Sequence, residues 1–283
     1  MIPFIKMHGL GNDFVIIDER KMPMQIIEPE QREAVVRALS ERRTGIGCDQ
    51  LIVLRPTRRA DVFMQIYNAD GSEVSACGNA TRCVAWLMMR EKHKDAALIE
   101  TAAGLLECYL AGKGLVRVNM GVPKLTWAEM PLSREADTLH LPVIAEGLAD
   151  GVAVNMGNPH AVFFVRDVGA VALKRVGPEL EHHGLFPERA NINVAKLDAP
   201  DHITLRVWER GSGETLACGT GACATVVAAR RRSLSEPIVT VLLPGGELHI
   251  EWQGTESNPD HPVWMTGPVI ETFRGELQDG QWV

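Results

Sequence analysis

The chain has 283 residues, 46% of them hydrophobic and 23% charged, a globular balance that excludes a disordered or fibrous protein. Its net charge of −7 runs against the basic footprint of a nucleic-acid binder, and no apolar run nears the roughly 18 residues of a membrane span. Six cysteines are too sparse for a disulfide scaffold and Met1–Lys6 has no leader pattern, so a reduced, cytoplasmic compartment is expected.

In chain order, residues 29–42 predict a surface helix with Ala34, Val35, Ala38 and Leu39 apolar. Val62, Met64 and Ile66 alternate ahead of Tyr67, the period of a half-buried strand. After Cys77 the residues Cys83, Val84, Trp86, Leu87 and Met88 suit a helix apolar most of the way round, which is a buried helix. Residues 97–120 read as short strands around Gly104, Gly112 and Gly114. The stretch 121–150, with three prolines and mixed polarity, reads as a crossover, and 168–183 as a helix. Ile203, Leu205 and Val207 alternate ahead of Trp208, and a second all-round apolar run, Ala222, Ala224 and Val226 to Ala228, follows Cys218. Arg230 to Arg232 then read as the solvated last turn of that helix, and 237–252 as a hairpin turning at Pro244-Gly245-Gly246.

The chain therefore repeats itself. Glu73 to Gly78 reads Glu-Val-Ser-Ala-Cys-Gly, and Glu214 to Gly219 reads Glu-Thr-Leu-Ala-Cys-Gly, with Tyr67 and Trp208 at the same distance upstream. Each half carries strand, turn, Cys-Gly and buried helix, about half the chain apart. A pseudo-duplicated two-domain protein is expected.

A thiol at a helix start is favoured as thiolate, and Gly-Asn or Gly-Thr after it leaves first-turn N–H groups free for an anion. A substrate carboxylate held by such amides puts the adjoining carbon within reach of both cysteines. One thiolate and one thiol then form a two-base site that removes a proton from one face and returns one to the other, with no pyridoxal group. Other uses fit less well. Cys48, Cys83, Cys108 and Cys223 read as small buried hydrophobes. The separations Cys77/Cys83 and Cys218/Cys223 turn the second thiol away from the first on a helix, against zinc. A Cys77–Cys218 disulfide reads as an oxidised, inactive form. Gly9-Leu10-Gly11, Gly211-Ser212-Gly213 and Gly219-Thr220-Gly221 lack the rest of any nucleotide-binding motif.

Motifs along most of the chain resemble those of diaminopimelate epimerases. They are Lys6 to Phe14 (KMHGLGNDF), Gly47-Cys48-Asp49-Gln50, Asn68 to Glu73, Ala76 to Asn79 and Gly157 to His160. Phe186 to Arg189 through Asn191, Glu209-Arg210-Gly211 and Ala217 to Gly221 follow in the same order. The resemblance implies interconversion of LL- and meso-diaminopimelate, with Cys77 and Cys218 as acid/base thiols helped by His160 and Glu209. It implies that the amides of Gly78, Asn79, Gly219 and Thr220 hold the reacting carboxylate. Asn12, Asn68, Asn158, Asn191 and Arg210, with Gln50 and Glu209, would grip the distal amino-acid end. No cofactor and no metal are implied. The partner is the small-molecule substrate, with no nucleic acid or membrane, and a homodimer is the candidate assembly.

The implied fold is α/β (α+β): two pseudo-symmetric domains, 1–120 plus 267–283 and 121–266, each a curved, mostly antiparallel sheet around a central apolar helix. The site is expected in the cleft between them. Two departures stand out: Ala80-Thr81-Arg82 where many members have Gly-Ala-Arg, and Cys48 where a small residue is common. The alternatives are a racemase of another amino acid, of histidine or hydroxyproline type, and a non-catalytic binding relative.

Overall fold

A computed structural model describes residues 1–21 and 30–278. The chain divides into two compact units, Met1–Val118 with Gly267–Val283, and Asn119–Thr266. In the first unit the elements run β1 (Ile2–Gly9), β2 (Asn12–Asp18), α1 (Arg32–Ser40), β3 (Gln50–Arg55), β4 (Val62–Asn68), β5 (Glu73–Val74), α2 (Gly78–Lys92), β6 (Ala96–Thr101), β7 (Gly104–Gly112) and β8 (Leu115–Asn119). In the second they run β9 (Val152–Asn155), β10 (Pro159–Phe164), α3 (Leu173–Glu181), β11 (Asn191–Ala199), β12 (His202–Glu209), β13 (Gly213–Thr215), α4 (Gly219–Arg231), β14 (Ile238–Leu243), β15 (Gly246–Glu251) and β16 (Trp264–Pro268). A last strand, β17 (Ile270–Leu277), pairs antiparallel with β1.

The two units pair their strands by one scheme. In the first, β1–β2 is antiparallel, β2–β3 parallel, β3–β4 and β4–β5 antiparallel, β4–β6 parallel, and β6–β7 antiparallel. In the second, β9 to β15 repeat that series link for link. The mixed α/β class with a mostly antiparallel sheet is thus observed in both. The duplication seen around the two Cys-Gly sequences extends over β1–β7 and β9–β15 and to α1 and α3, which have only Val35/Val176 and Leu39/Leu180 in common.

Burial explains the residue choice. Phe14 to Ile17 on β2 and Leu51 to Leu54 on β3 are buried without alternation, as expected of strands covered on both faces. One cover is α1, whose Val35, Val36 and Leu39 pack with Val15, Ile17, Leu51 and Val53. The other is α2, which packs on β1, β4, β6 and β7 and is buried nearly all round from Gly78 to Met89. α4 lies likewise on β9, β10, β11 and β15. The Gly9-Leu10-Gly11 stretch is a tight hairpin: Leu10 and Gly11 have φ of 57° and 81°, the two positive values a type I′ turn needs.

Three expectations need correction. First, 121–150 is more than a crossover. Met130, Leu132, Leu141, Val143, Ala145 and Leu148 are buried in the second unit's core against α3, and Leu141 and Ala153 donate backbone bonds to Gly151 and Thr138. Second, the 168–183 helix spans only Leu173–Glu181, because the Asp167 carboxylate caps the Gly169 N–H and Arg206 Nη1 takes the carbonyls of Val168 and Val171. Third, Arg231 is not solvated. Its side chain is 2% exposed and bonds to Glu256, to the Ala153 carbonyl at 2.9 Å and to Thr138 Oγ1 at 3.0 Å. Arg232 is tied to the Leu139 carbonyl and to Asp150. Arg231 and Arg232 fasten the end of α4 to the 138–153 segment, while Arg230 Nη1 bonds the Ser235 carbonyl. The 29–42 helix is Arg32–Ser40; residue 29 lies outside the described residues.

Candidate active site

In each unit the end of the sheet where two parallel strands begin gathers the polar residues singled out from sequence. In the first unit β2 starts at Asn12, β3 starts at Gln50, and the antiparallel β4 ends at Asn68 opposite Gln50. β5 then pairs back on β4 and delivers Cys77 to the same end as the N-cap of α2, with extended backbone (φ −148°, ψ 109°). Cys77 makes no side-chain capping bond to the first turn of α2. The first turn closes through Thr81 N–H to the Cys77 carbonyl, 2.9 Å, with Thr81 Oγ1 on the same oxygen.

Asn12 Oδ1 lies 3.9 Å from Cys77 Sγ and accepts from Asn79 Nδ2 at 3.2 Å, so Asn12, Cys77 and Asn79 form one group. Gln50 and Asn68 form another, Gln50 Nε2 donating to Asn68 Oδ1 at 3.1 Å. Behind Asn12 stands a charged clamp that sequence reading did not single out. Asp13 and Asp49 exchange backbone-to-carboxylate bonds, and Asn12 Nδ2 donates to Asp49 Oδ2 at 3.1 Å. Arg42 bridges both carboxylates at 2.7 to 2.9 Å, and the buried Lys6 ammonium sits 2.6 Å from Asp13. Burial pushes the Asp13 carboxyl up, but its bonds to Arg42 and Lys6 and the Lys6 charge together hold it far below the usual carboxylate range. The clamp fixes the Asn12 amide: its NH2 is taken by Asp49, so its oxygen faces the thiol.

In the second unit β10 and β11 begin together at Pro159 and Asn191, with His160 in register with Asn191, while β12 ends at Glu209. Cys218 is the N-cap of α4, again extended and without a side-chain cap bond, and Ala222 N–H closes the first turn on its carbonyl. Glu209 Oε2 is 3.2 Å from Cys218 Sγ, Thr220 Oγ1 is 3.5 Å away, and Thr215 Oγ1 donates to Glu209 Oε1 at 2.5 Å. Burial, and next the Glu209 charge, push the Cys218 thiol well above its ordinary value. Cys218 is therefore an S–H donor to Glu209 here. The buried Cys48, Cys83 and Cys108 are also pushed up by burial, Cys83 to about 12, as inert thiols are.

Asn158, His160, Asn191 and Arg210 stand at the same ends of β10, β11 and β12 as Glu209. Asn191 is spent largely on backbone: its Nδ2 donates to the Pro159 carbonyl and its Oδ1 accepts the Arg210 N–H. Arg210 is exposed, with Nη1 on the Glu188 carbonyl. Within its unit His160 reaches no thiol: Nδ1 is 3.1 Å from Asn193 Oδ1 and Nε2 is 3.1 Å from Asn158 Oδ1. Its ring is fully buried, and that burial pushes its pKa down to about 4. Sequence reading also missed Glu181 and Asn193. Glu181 anchors the 208–211 turn by accepting from Trp208 Nε1 at 2.7 Å and Gly211 N–H at 3.0 Å. For Asn193, a polar residue two places after Asn191, inside the buried run Ile192 to Ala195, was the signal.

The chain matches the model of a family described as diaminopimelate epimerase over residues 4–126 and 152–271. Among curated relatives, a diaminopimelate epimerase of Rhodospirillum centenum is 52% identical, covering 98% of this chain and 92% of that protein. One of Erythrobacter litoralis is 50% identical over 99% of both chains. Among solved structures, a probable proline racemase of Agrobacterium radiobacter K84 superposes with a TM-score of 0.72 at 16% identity, covering 100% of this chain and 95% of that one. A hydroxyproline epimerase of Agrobacterium vitis gives 0.70 at 16% identity, over 98% and 90%. These two share the fold.

Proposed function

The chain belongs to the diaminopimelate epimerase family and is an isomerase that epimerises diaminopimelate, and from that premise we propose how its residues do so. Cys77 and Cys218 are the two proton-transfer groups, working on opposite faces of one α-carbon. A thiolate takes the α-proton; the C–H electron pair passes into the adjoining carboxylate; the other thiol gives its proton to the opposite face. One proton is taken and one returned, and the two sulfurs exchange protonation states. Either direction of reaction uses the same pair.

The observation that carries this reading is the paired placement of Cys77 and Cys218 as N-caps of buried helices, each beside an oxygen-bearing partner. First-turn N–H groups of both helices, at Gly78, Asn79, Gly219 and Thr220, hold the reacting carboxylate and stabilise the charge that develops on it. Glu209 takes up the Cys218 proton when that sulfur acts as base. The exposed Arg210 guanidinium matches the distal carboxylate, and Asn12, Gln50, Asn68, Asn158 and Asn191 supply amides around the amino-acid ends. His160 contributes a neutral ring beside Asn158.

Free thiols that cycle protons need a reducing compartment, so a cytoplasmic location belongs to the proposal; among the described residues no helix is long and apolar enough to cross a membrane. A homodimer is also part of it, supported by Ile270 and Phe273, which are exposed on β17. Light scattering of the purified protein checks it, and a monomer at working concentration removes it. For the mechanism, Cys77→Ala and Cys218→Ala each lower turnover by at least about a thousandfold while circular dichroism stays native. Full activity in either variant removes the two-thiol mechanism.

A further inference from the structure

The matched strand schemes let each buried position of the second unit be compared with its counterpart in the first. Tyr67 and Trp208 are equivalent, facing Leu51 and Ile192. Gln50 then corresponds to Asn191, and Ile52, opposite Ile66, to Asn193, opposite Val207. Phe14, in register with Gln50, corresponds to His160, in register with Asn191. Along the central helices, counted from Cys77 and Cys218, Val84 corresponds to Thr225. All six side chains are fully buried. The first unit fills these places with Phe14, Ile52 and Val84, and the second with His160, Asn193 and Thr225.

Three apolar groups therefore suffice to build this core, and three polar ones cost desolvation that only hydrogen bonds offset. The bonds are present and directional. Asn193 Nδ2 donates to the Gly221 carbonyl at 2.8 Å and to Thr225 Oγ1 at 3.0 Å, and Thr225 Oγ1 donates to the same carbonyl. With its NH2 spent on α4, the Asn193 amide can only offer its oxygen to His160 Nδ1, which must then carry the hydrogen.

We propose that Asn193 is a positioning residue: anchored on the first turn of α4, it holds the His160 ring as the Nδ1–H tautomer, so that Nε2 is an acceptor that sets the orientation of the Asn158 amide. An unprotonated Nε2 facing Asn158 Oδ1 at 3.1 Å is acceptor against acceptor. Half a turn of the amide puts its NH2 on Nε2 and leaves its oxygen as the atom offered to the substrate's ammonium group. The ring stays uncharged through neutral pH, since burial, the largest influence, and the Arg210 charge on the turn after β12 outweigh the Asn193 bond, which favours the imidazolium. The role assigned to Asn158 rests on the epimerase reading; the tautomer does not.

The test begins with the unaltered protein. Nitrogen NMR of 15N-histidine-labelled enzyme, with His160 identified by its absence in a His160→Phe variant, should show protonated Nδ1 and bare Nε2, unchanged between about pH 6 and 9. An Nε2–H tautomer or a charged ring overturns the proposal. The second arm copies the first unit into the second. A His160→Phe, Asn193→Ile double variant should fold, yet raise KM for diaminopimelate about 10-fold or more, the worth of one misdirected hydrogen bond, with a smaller change in kcat. A double variant with parental KM overturns the proposal. A correct tautomer in a protein that turns over no diaminopimelate overturns the epimerase reading alone.

Discussion

Cys218 and Asp13 show how neighbours set a single residue's chemistry. The Cys218 thiol is buried beside a carboxylate, and both facts favour S–H over thiolate, so Glu209 decides how readily that proton leaves. Glu209→Gln keeps the shape and loses the acceptor charge. It should lower kcat by about 100-fold or more, the usual scale of a lost acid/base partner, with little change in folding; steady-state kinetics checks this. Asp13 works in the opposite sense. Its folded-state pKa is depressed, so its contribution to stability is present above its unfolded value of about 3.9 and is lost as pH falls further through the folded value. Asp13→Asn should therefore make the loss of stability below about pH 4 shallower in urea titrations, while raising KM through a loosened Asn12. A parental acid limb in that variant contradicts the clamp.

At the scale of elements, sequence reading succeeded where a local rule fixes the pattern. Alternation of Val62, Met64 and Ile66 and the all-round apolar runs after Cys77 and Cys218 are enforced by burial, and they gave the strands and helices observed. It failed where long-range partners override the local signal. Nothing in the Arg230 to Arg232 run announces that Arg231 finds Thr138, Ala153 and Glu256, so a charge cluster read as surface turned out to be an anchor. Likewise 121–150 has no periodicity, yet six of its side chains complete the core under α3. Arg231→Leu should cost about 2–4 kcal/mol in chemical denaturation, because buried acceptors lose their donors. Gly177 on α3 has its own constraint: a Cβ there would sit 2.6 Å from the Trp208 ring. Gly177→Ala should destabilise by about 1–3 kcal/mol and disturb the 208–211 turn that carries Glu209 and Arg210, seen as a drop in kcat/KM beyond the loss of folded protein.

The whole molecule is one design used twice with different contents at the site. Asn12, Gln50 and Asn68 in the first unit correspond to Asn158, Asn191 and Glu209 in the second, at the same strand ends. The repeat was legible from the Cys-Gly turns because a thiol at a helix start tolerates few neighbours. Its full extent was not, since α1 and α3 need only one apolar face and share just Val35/Val176 and Leu39/Leu180, too little to mark a repeat. The candidate site residues were legible as motifs, while the groups that hold them, Asp49, Arg42, Glu181 and Asn193, gave little sign because a structural ion pair or buried amide has no spacing of its own. The central claim, that two thiols exchange the α-proton of diaminopimelate, is tested most directly by proton NMR of LL-diaminopimelate with the reduced enzyme in heavy water. The account predicts loss of the α-proton signal together with growth of the meso isomer. An α-proton that persists in the presence of folded protein with free thiols would contradict it.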